Sequence, residues 1–265
     1  MFIDSHCHLS FPELKEKLPE IRKAMEAAEV KKALCICTTL EEFETVHALA
    51  VEHSNFWCTV GVHPDNEDVQ EPDVVTLVTL AGRKKVVGIG ETGLDYYRLG
   101  ERRIADMAWQ RERFRVHIRA ARQTDKPLVI HTRNSSEDTL AILKEEGSTG
   151  AGQMQARGVF HCFTESQAVA RAALDLGFYI SFSGIITFKN AADLREVVDF
   201  VPLDRMLIET DSPYLAPMPY RGKTNNPSYV PLVAKQIAEI KKLPLEAVAA
   251  STCGNFERLF TEAIE

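Results

Sequence analysis

Residues 86–97 read VVGIGETGLDYY, and the first six of them, VVGIGE, decide how the rest of the chain is read. Five apolar or glycine residues run straight into one carboxylate, Glu91. A short β-branched run of this kind reads as a buried strand. A charged group at its end is costly unless it is paired or bound to a metal. Working outward, the same form recurs in FIDSHCH at 2–8, FWCTVGVH at 56–63, PLVIHT at 127–132, GVFHCF at 158–163 and MLIETD at 206–211. The runs at 32–39 and 179–184 bring the expected strands to eight.

Segments of helical periodicity separate these runs, at 20–30, 41–53, 74–83, 102–124, 136–146, 166–176 and 191–200, with two more after the last strand. Strand–helix alternation implies parallel strands joined by right-handed crossovers. Eight such units in about 210 residues fit a closed (β/α)8 TIM barrel of the α/β class, with a doubly wound open sheet as the runner-up. The barrel gains support because His8, His63, Glu91, His131, His161 and Asp211 all fall at the C-terminal ends of runs, where such barrels build their active sites. Without a long linker, a low-complexity stretch or a repeat, residues 1–265 are expected to form one barrel domain.

No segment reaches the roughly 18 to 20 apolar residues of a membrane span, and MFIDSHCHL lacks the order of a signal peptide. The six cysteines form no CxxC pair and read as reduced core thiols, so the expected location is cytoplasmic, with no membrane and no obligate protein partner. The net charge of −7 excludes a protein that coats nucleic acid by clustered Lys and Arg. A polyanionic substrate must therefore be held locally.

His6 and His8 stand two residues apart on a strand, so both side chains leave one face about 6.5 Å apart and can converge on one cation. Glu91, His131, His161 and Asp211 add four more groups of metal-binding type, which places donors on five strands in all. Four imidazoles and two carboxylates exceed one open catalytic site and suit two divalent ions, with Glu91, central in the strand order, as the bridge. The donors accept zinc, and also manganese or magnesium.

FIDSHCH, GVHP, VGIGETGLDYY, PLVIHTR, GVFHCF, SFSG, LIETDSPYLAP and PYRGKTNNP, taken in order from Phe2 to about Phe256, resemble the TatD-type metal-dependent deoxyribonucleases, amidohydrolase-like barrels. The resemblance implies a TIM barrel with His6, His8, Glu91 and Asp211 around one metal and Glu91, His131 and His161 around the other. It also implies a deoxyribonuclease, in some members a 3′ exonuclease, while related enzymes deacylate D-aminoacyl-tRNA. Where the phosphotriesterase branch bridges its metals with a modified lysine, this chain has Glu91.

The expected reaction is metal-dependent cleavage of DNA phosphodiester bonds by activated water, with an ester or amide hydrolase such as a D-aminoacyl-tRNA deacylase as the alternative. Asp211 is the expected general base, and His63 is expected to bind the scissile phosphate or protonate the leaving oxygen. Asp4 and Glu209, two residues before His6 and Asp211, lie deeper on the same strand faces as candidate hydrogen-bond partners of the ligands. Among the basic residues after strand ends, Arg98, Arg133, Lys189, Arg221 and Lys223, the expected phosphate contacts are Arg133, Arg221 and Lys223. Attack at a barrel mouth favours single-stranded or frayed ends of DNA over duplex interiors, and the resemblance implies 3′ ends among them.

Overall fold

In the computed structural model, which describes residues 1–147 and 155–263, eight parallel strands follow one another around a sheet in chain order. They are β1 (Phe2–Cys7), β2 (Val30–Cys35), β3 (Phe56–Val60), β4 (Val86–Asp95), β5 (Leu128–Arg133), β6 (Gly158–Phe160), β7 (Tyr179–Phe182) and β8 (Met206–Ile208). The ring closes between Cys7 and Ser212, and the seam is fastened by the His8 amide to the Ser212 carbonyl and the Asp211 amide to the His6 carbonyl, both 2.9 Å. The architecture is a TIM barrel, and the open sheet is set aside by this closure.

Ten helices are described: α1 (Pro12–Lys15), α2 (Leu18–Ala27), α3 (Phe43–Glu52), α4 (Val74–Ala81), α5 (Ala108–Thr124), α6 (Ser136–Gly147), α7 (Gln167–Asp175), α8 (Ala192–Phe200), α9 (Val230–Lys241) and α10 (Leu245–Leu259). Asp73 and Ser166 cap α4 and α7 by accepting the amides of Thr76 and Val169. Two such caps each contribute on the order of 1 kcal/mol. No helix among the described residues is long and apolar enough to cross a membrane.

Strand residues alternate between two cores, as a period of two demands. One side packs against the outer helices. On the other, each strand gives one residue (Ile3, Leu34, Trp57, Val87, Val129, Val159, Tyr179, Leu207), and Cys253, Phe256, Leu259 and Phe260 from the end of α10 and just beyond join that ring. Helix α10 therefore plugs one end of the barrel and leaves the other end for polar groups.

The strands end earlier than the sequence predicts. β1, β3, β6 and β8 stop at Cys7, Val60, Phe160 and Ile208, so His8, His63, His161 and Asp211 sit just past the ladder, where the backbone is free to turn inward. Cys162 and Asp211 use φ of 42° and 55° there. Strand β4 instead runs past Glu91 to Asp95. Gly93 lets it lie against β5, since at φ 133° a Cβ on it would stand 2.0 Å from the His131 carbonyl oxygen. The predicted helix at 102–124 is split, with a 3-10 turn at Ile104–Met107 before α5. All six cysteines carry free thiols; Cys162 is half-buried and the other five are buried.

Candidate metal centre

The C-terminal mouth holds a cavity of about 680 Å3 whose floor contains His8, His63, Glu91, His131, His161 and Asp211. His6 lies buried directly beneath. β1 supplies His6 and, one residue past its end, His8; β4 supplies Glu91, β5 His131, and the turns after β3, β6 and β8 supply His63, His161 and Asp211. The barrel seam brings the first and last of these elements together.

The two carboxylate oxygens of Glu91 divide the rings between them. His6 Nε2 lies 3.3 Å and His8 Nε2 3.9 Å from Oε2. Both of these nitrogens are also 3.5 Å from Asp211 Oδ1. On the other oxygen, Oε1, His161 Nε2 lies at 2.9 Å, and His63 Nε2 and His131 Nδ1 at 3.3 Å each. The His6 ring is stacked on that of His161 at 3.9 Å, so the two groups adjoin.

These donors fit divalent cations. His6 Nε2 and His8 Nε2 approach to 3.3 Å, and the Nδ1 atoms of both rings, like His161 Nε2, are buried without a hydrogen-bond partner among the described residues. A cation among the Nε2 lone pairs of His6, His8 and His161 would separate the close pair and satisfy His161 Nε2, whose burial without a partner costs roughly 1 to 3 kcal/mol. Among the described residues, three sets of donor atoms lie close enough to hold an ion: His6, His8 and Glu91; His63, Glu91 and His131; His6, His161 and Asp211.

Partners behind the rings fix their tautomers. His131 presents Nε2 to Asp95 Oδ2 at 3.0 Å, and His161 presents Nδ1 to Glu209 Oε1 at 3.2 Å. His63 Nδ1 accepts the Asp65 amide at 3.0 Å, which leaves the proton on Nε2, the nitrogen that faces Glu91. Deeper, Asp4 accepts the amides of His6 and Thr210 at 3.2 and 2.9 Å and the Thr210 hydroxyl at 2.5 Å, tying β1 to β8. Burial pushes the Asp4 carboxyl up to about 8 against these bonds.

Charge is settled pairwise. Burial pushes Glu91 upward, yet His161, His63 and His6 outweigh it and hold the carboxyl well below the usual range. Burial likewise opposes ionised Asp211, and the bond to His8 with the charges of His6 and His161 overcomes it. Burial and the neighbouring His161 lower His6. His161 itself is raised, because Glu91 and Glu209 prevail over burial.

One helix holds the second row of residues. Gln110 of α5 accepts the Asp95 amide at 2.9 Å. Arg113 donates to the carbonyls of His63 and Asn66 at 2.9 and 2.7 Å, and its guanidinium pairs with Glu71. His117 Nε2 accepts the Val62 amide at 3.0 Å, while its Nδ1–H donates to the Arg113 carbonyl at 2.7 Å. These three buried residues suspend the loop of His63 and the strand end of Asp95. None of them, nor Asp95, stood out in the sequence. The available signal for Asp95 was a carboxylate inside the apolar run GLDYY.

Of the basic residues expected to contact phosphate, Arg133 lines the cavity, together with Arg98. Arg221 and Lys223 are exposed outside that lining, over the rings of Phe188 and Tyr220 at 4.4 and 5.7 Å.

Comparison with known proteins gives a concordant picture. The profile of the family described as TatD related DNase matches residues 3–261. The chain is 46% identical over 262 residues to the uncharacterized metal-dependent hydrolase YcfH of Escherichia coli (strain K12), covering 97% of this chain and 95% of that protein. It is 31% identical over 249 residues to the 3′-5′ ssDNA/RNA exonuclease TatD of Klebsiella pneumoniae (strain 342), covering 91% and 90%. Among solved structures, the TatD homologue YjjV of Escherichia coli K12 superposes with a TM-score of 0.87 at 27% identity over 98% of each chain.

Proposed function

The chain belongs to the TatD related DNase family and is a metal-dependent hydrolase, and from this premise we propose that it cleaves phosphodiester bonds at the ends of DNA strands. The observation that carries the reading is the division of Glu91, with one oxygen facing His6 and His8 and the other facing His63, His131 and His161. That pattern suits two divalent cations bridged by one carboxylate. His6, His8 and Asp211 would complete the Oε2 side, and His131 and His161 the Oε1 side. When bound, the pair lowers the pKa of water and polarises a phosphoryl oxygen. Zinc is favoured by the imidazoles, with manganese or magnesium accepted through the carboxylates.

The protein's own groups do the rest. Asp211, ionised and 15% exposed at the side chain, opens onto the cavity and is the base that orients the attacking water and takes its proton. His63, neutral with its proton on Nε2, is placed to donate a hydrogen bond to the scissile phosphate. Arg98 and Arg133 hold neighbouring phosphates. The lining carries four carboxylates, Asp65, Glu91, Asp95 and Asp211, and two guanidinium groups, Arg98 and Arg133, so two cations adding about +4 would leave the mouth at roughly +2 under an acidic exterior. This local charge is how a chain of net charge −7 can hold a polyanion.

A walled cavity admits a strand end more readily than the middle of a stiff duplex. The test is an end-labelled linear single strand against a covalently closed circle of the same sequence, with Zn, Mn or Mg added back to metal-stripped protein. Shortening of the linear strand one nucleotide at a time, with the circle intact, is the expected result. Equal cleavage of both would overturn the end requirement, and turnover of aminoacyl-tRNA with no DNA product would move the reaction to a carbonyl carbon.

A further inference from the structure

The two walls of the cavity above the histidines are chemically unlike. The side after β2 to β5 carries Thr38, Asp65, Asn66, Asp95, Arg98 and Arg133; the side after β7, β8 and β1 carries Phe11, Ile185, Tyr214 and Leu215. On the first wall the Arg133 guanidinium lies 3.7 Å over the Tyr97 ring, which holds it flat. On the second, Phe11 stacks on the His8 ring at 4.7 Å and 20°, and Tyr214 meets Phe11 edge-on at 6.5 Å and 76°. An aromatic ladder therefore climbs from a floor histidine to the rim.

Tyr214 at its top is 55% exposed, a large aromatic ring left facing solvent beside the reacting groups. Its backbone is not loose. The Tyr214 amide donates to the Asp211 carbonyl at 3.0 Å, and its carbonyl accepts the Asn225 amide group at 2.7 Å. The side chain of Asn225, fully buried, also donates to the Thr210 carbonyl at 2.8 Å, so one residue pins both ends of the turn that carries Asp211. The backbone of Tyr214 is thus anchored to the turn that carries Asp211, and its exposed ring stands against Phe11 beside that turn.

An exposed ring opposite two guanidinium groups matches a ligand that is aromatic on one side and anionic on the other. A nucleotide has that shape: base–aromatic stacking tolerates any base, because every base has a π face. We propose that Tyr214, backed by Phe11, is a stacking subsite for the base of the terminal nucleotide, with the adjoining phosphate turned toward Arg98 and Arg133. This inference rests on the reading of the substrate as a DNA strand end and adds the subsite that orients it. It accounts for an enzyme that would accept all four bases, since each offers a stacking face, and would favour a terminal nucleotide that carries one.

The test uses full-length protein, Tyr214→Ala and Tyr214→Phe, and two single-stranded oligonucleotides that differ only in whether the terminal nucleotide carries its base. A third oligonucleotide with terminal 2-aminopurine reports stacking by fluorescence quenching, independently of cleavage. Wild type and Y214F are expected to quench it and to favour the base-bearing strand. In Y214A the quench is lost and the kcat/KM ratio of base-bearing to abasic strand falls about 5- to 100-fold, the scale of one stacked base. Metal content, measured in parallel, stays at the wild-type level in Y214A. Full quenching in Y214A, or an unchanged ratio, overturns the subsite while leaving strand-end cleavage standing. Quenching by wild type without cleavage of any strand would instead retain the subsite and remove the nuclease reading.

Discussion

Around Oε2 of Glu91, the rings of His6 and His8 keep buried Nδ1 atoms without a hydrogen-bond partner among the described residues, whereas around Oε1 His131 leans on Asp95 and His161 on Glu209. The first pair is positioned by ring contacts, His6 against His161 and His8 against Phe11. The second pair has its tautomers set by carboxylates. A carboxylate behind a ligating histidine orients the ring and raises its basicity. The Oε1 side is therefore organised in advance, and the Oε2 side depends more on the cation to order it. The Oε2 side in return holds Asp211, the carboxylate assigned to the water. Affinity and reactivity are divided between the two oxygens.

The comparison can be broken at its largest contrast first. Asp211→Asn is expected to lower turnover at least about 100-fold with metal saturating, the usual scale of a general base. Near-wild-type turnover would remove Asp211 from the mechanism. Asp95→Asn should act on the other side and in another quantity, weakening one of two metal-binding steps by about 10- to 100-fold in calorimetric titration while the second step is unchanged. Equal weakening of both steps would show that the halves are not separately supported.

The smallest expected effect concerns the helix behind the Oε1 side. Burial and the nearby Arg113 guanidinium hold His117 down at about 4, against the pull of its bond to the Arg113 carbonyl. Its neutral ring accepts from Val62 and cannot do so once protonated. A histidine depressed in the folded state contributes stability that is present above its ordinary pKa near 6.5 and is lost as pH falls toward the folded value. Between pH 7.5 and 5 this amounts to about 2 kcal/mol, and denaturation of wild type against His117→Gln should show it as a slope that the variant lacks. Parallel pH profiles would mean that His117 titrates alike in both states.

The barrel and the gathering of histidine and carboxylate side chains at its mouth were legible because six of the eight strands are apolar runs ended by a group that an apolar strand does not tolerate, as in VVGIGE and PLVIH. What lay behind the donors was not. TGLD carries β4 on to Asp95 through a glycine, Gly93, rather than through a β-branched pattern, so the strand read as finished at Glu91. Gln110, Arg113 and His117 share the buried face of α5, but the charges crowded into WQRERFRVHIRAAR give no sign of which polar side chains turn inward. Amphipathic periodicity in α10 announced a helix with an apolar face without saying that this face plugs the barrel. Arg221 and Lys223 follow β8 in sequence, yet the turn carries them outside the cavity lining, which proximity along the chain does not reveal.

The most direct measurement is anomalous diffraction from crystals of wild type and Glu91→Gln grown with zinc or manganese. Wild type should show two peaks, one in contact with each oxygen of Glu91, the Oε2 peak beside His6 and His8 and the Oε1 peak beside His131 and His161. E91Q should lose occupancy at both positions together. A single wild-type peak, or two peaks that both persist in E91Q, would contradict the bridge on which this account depends.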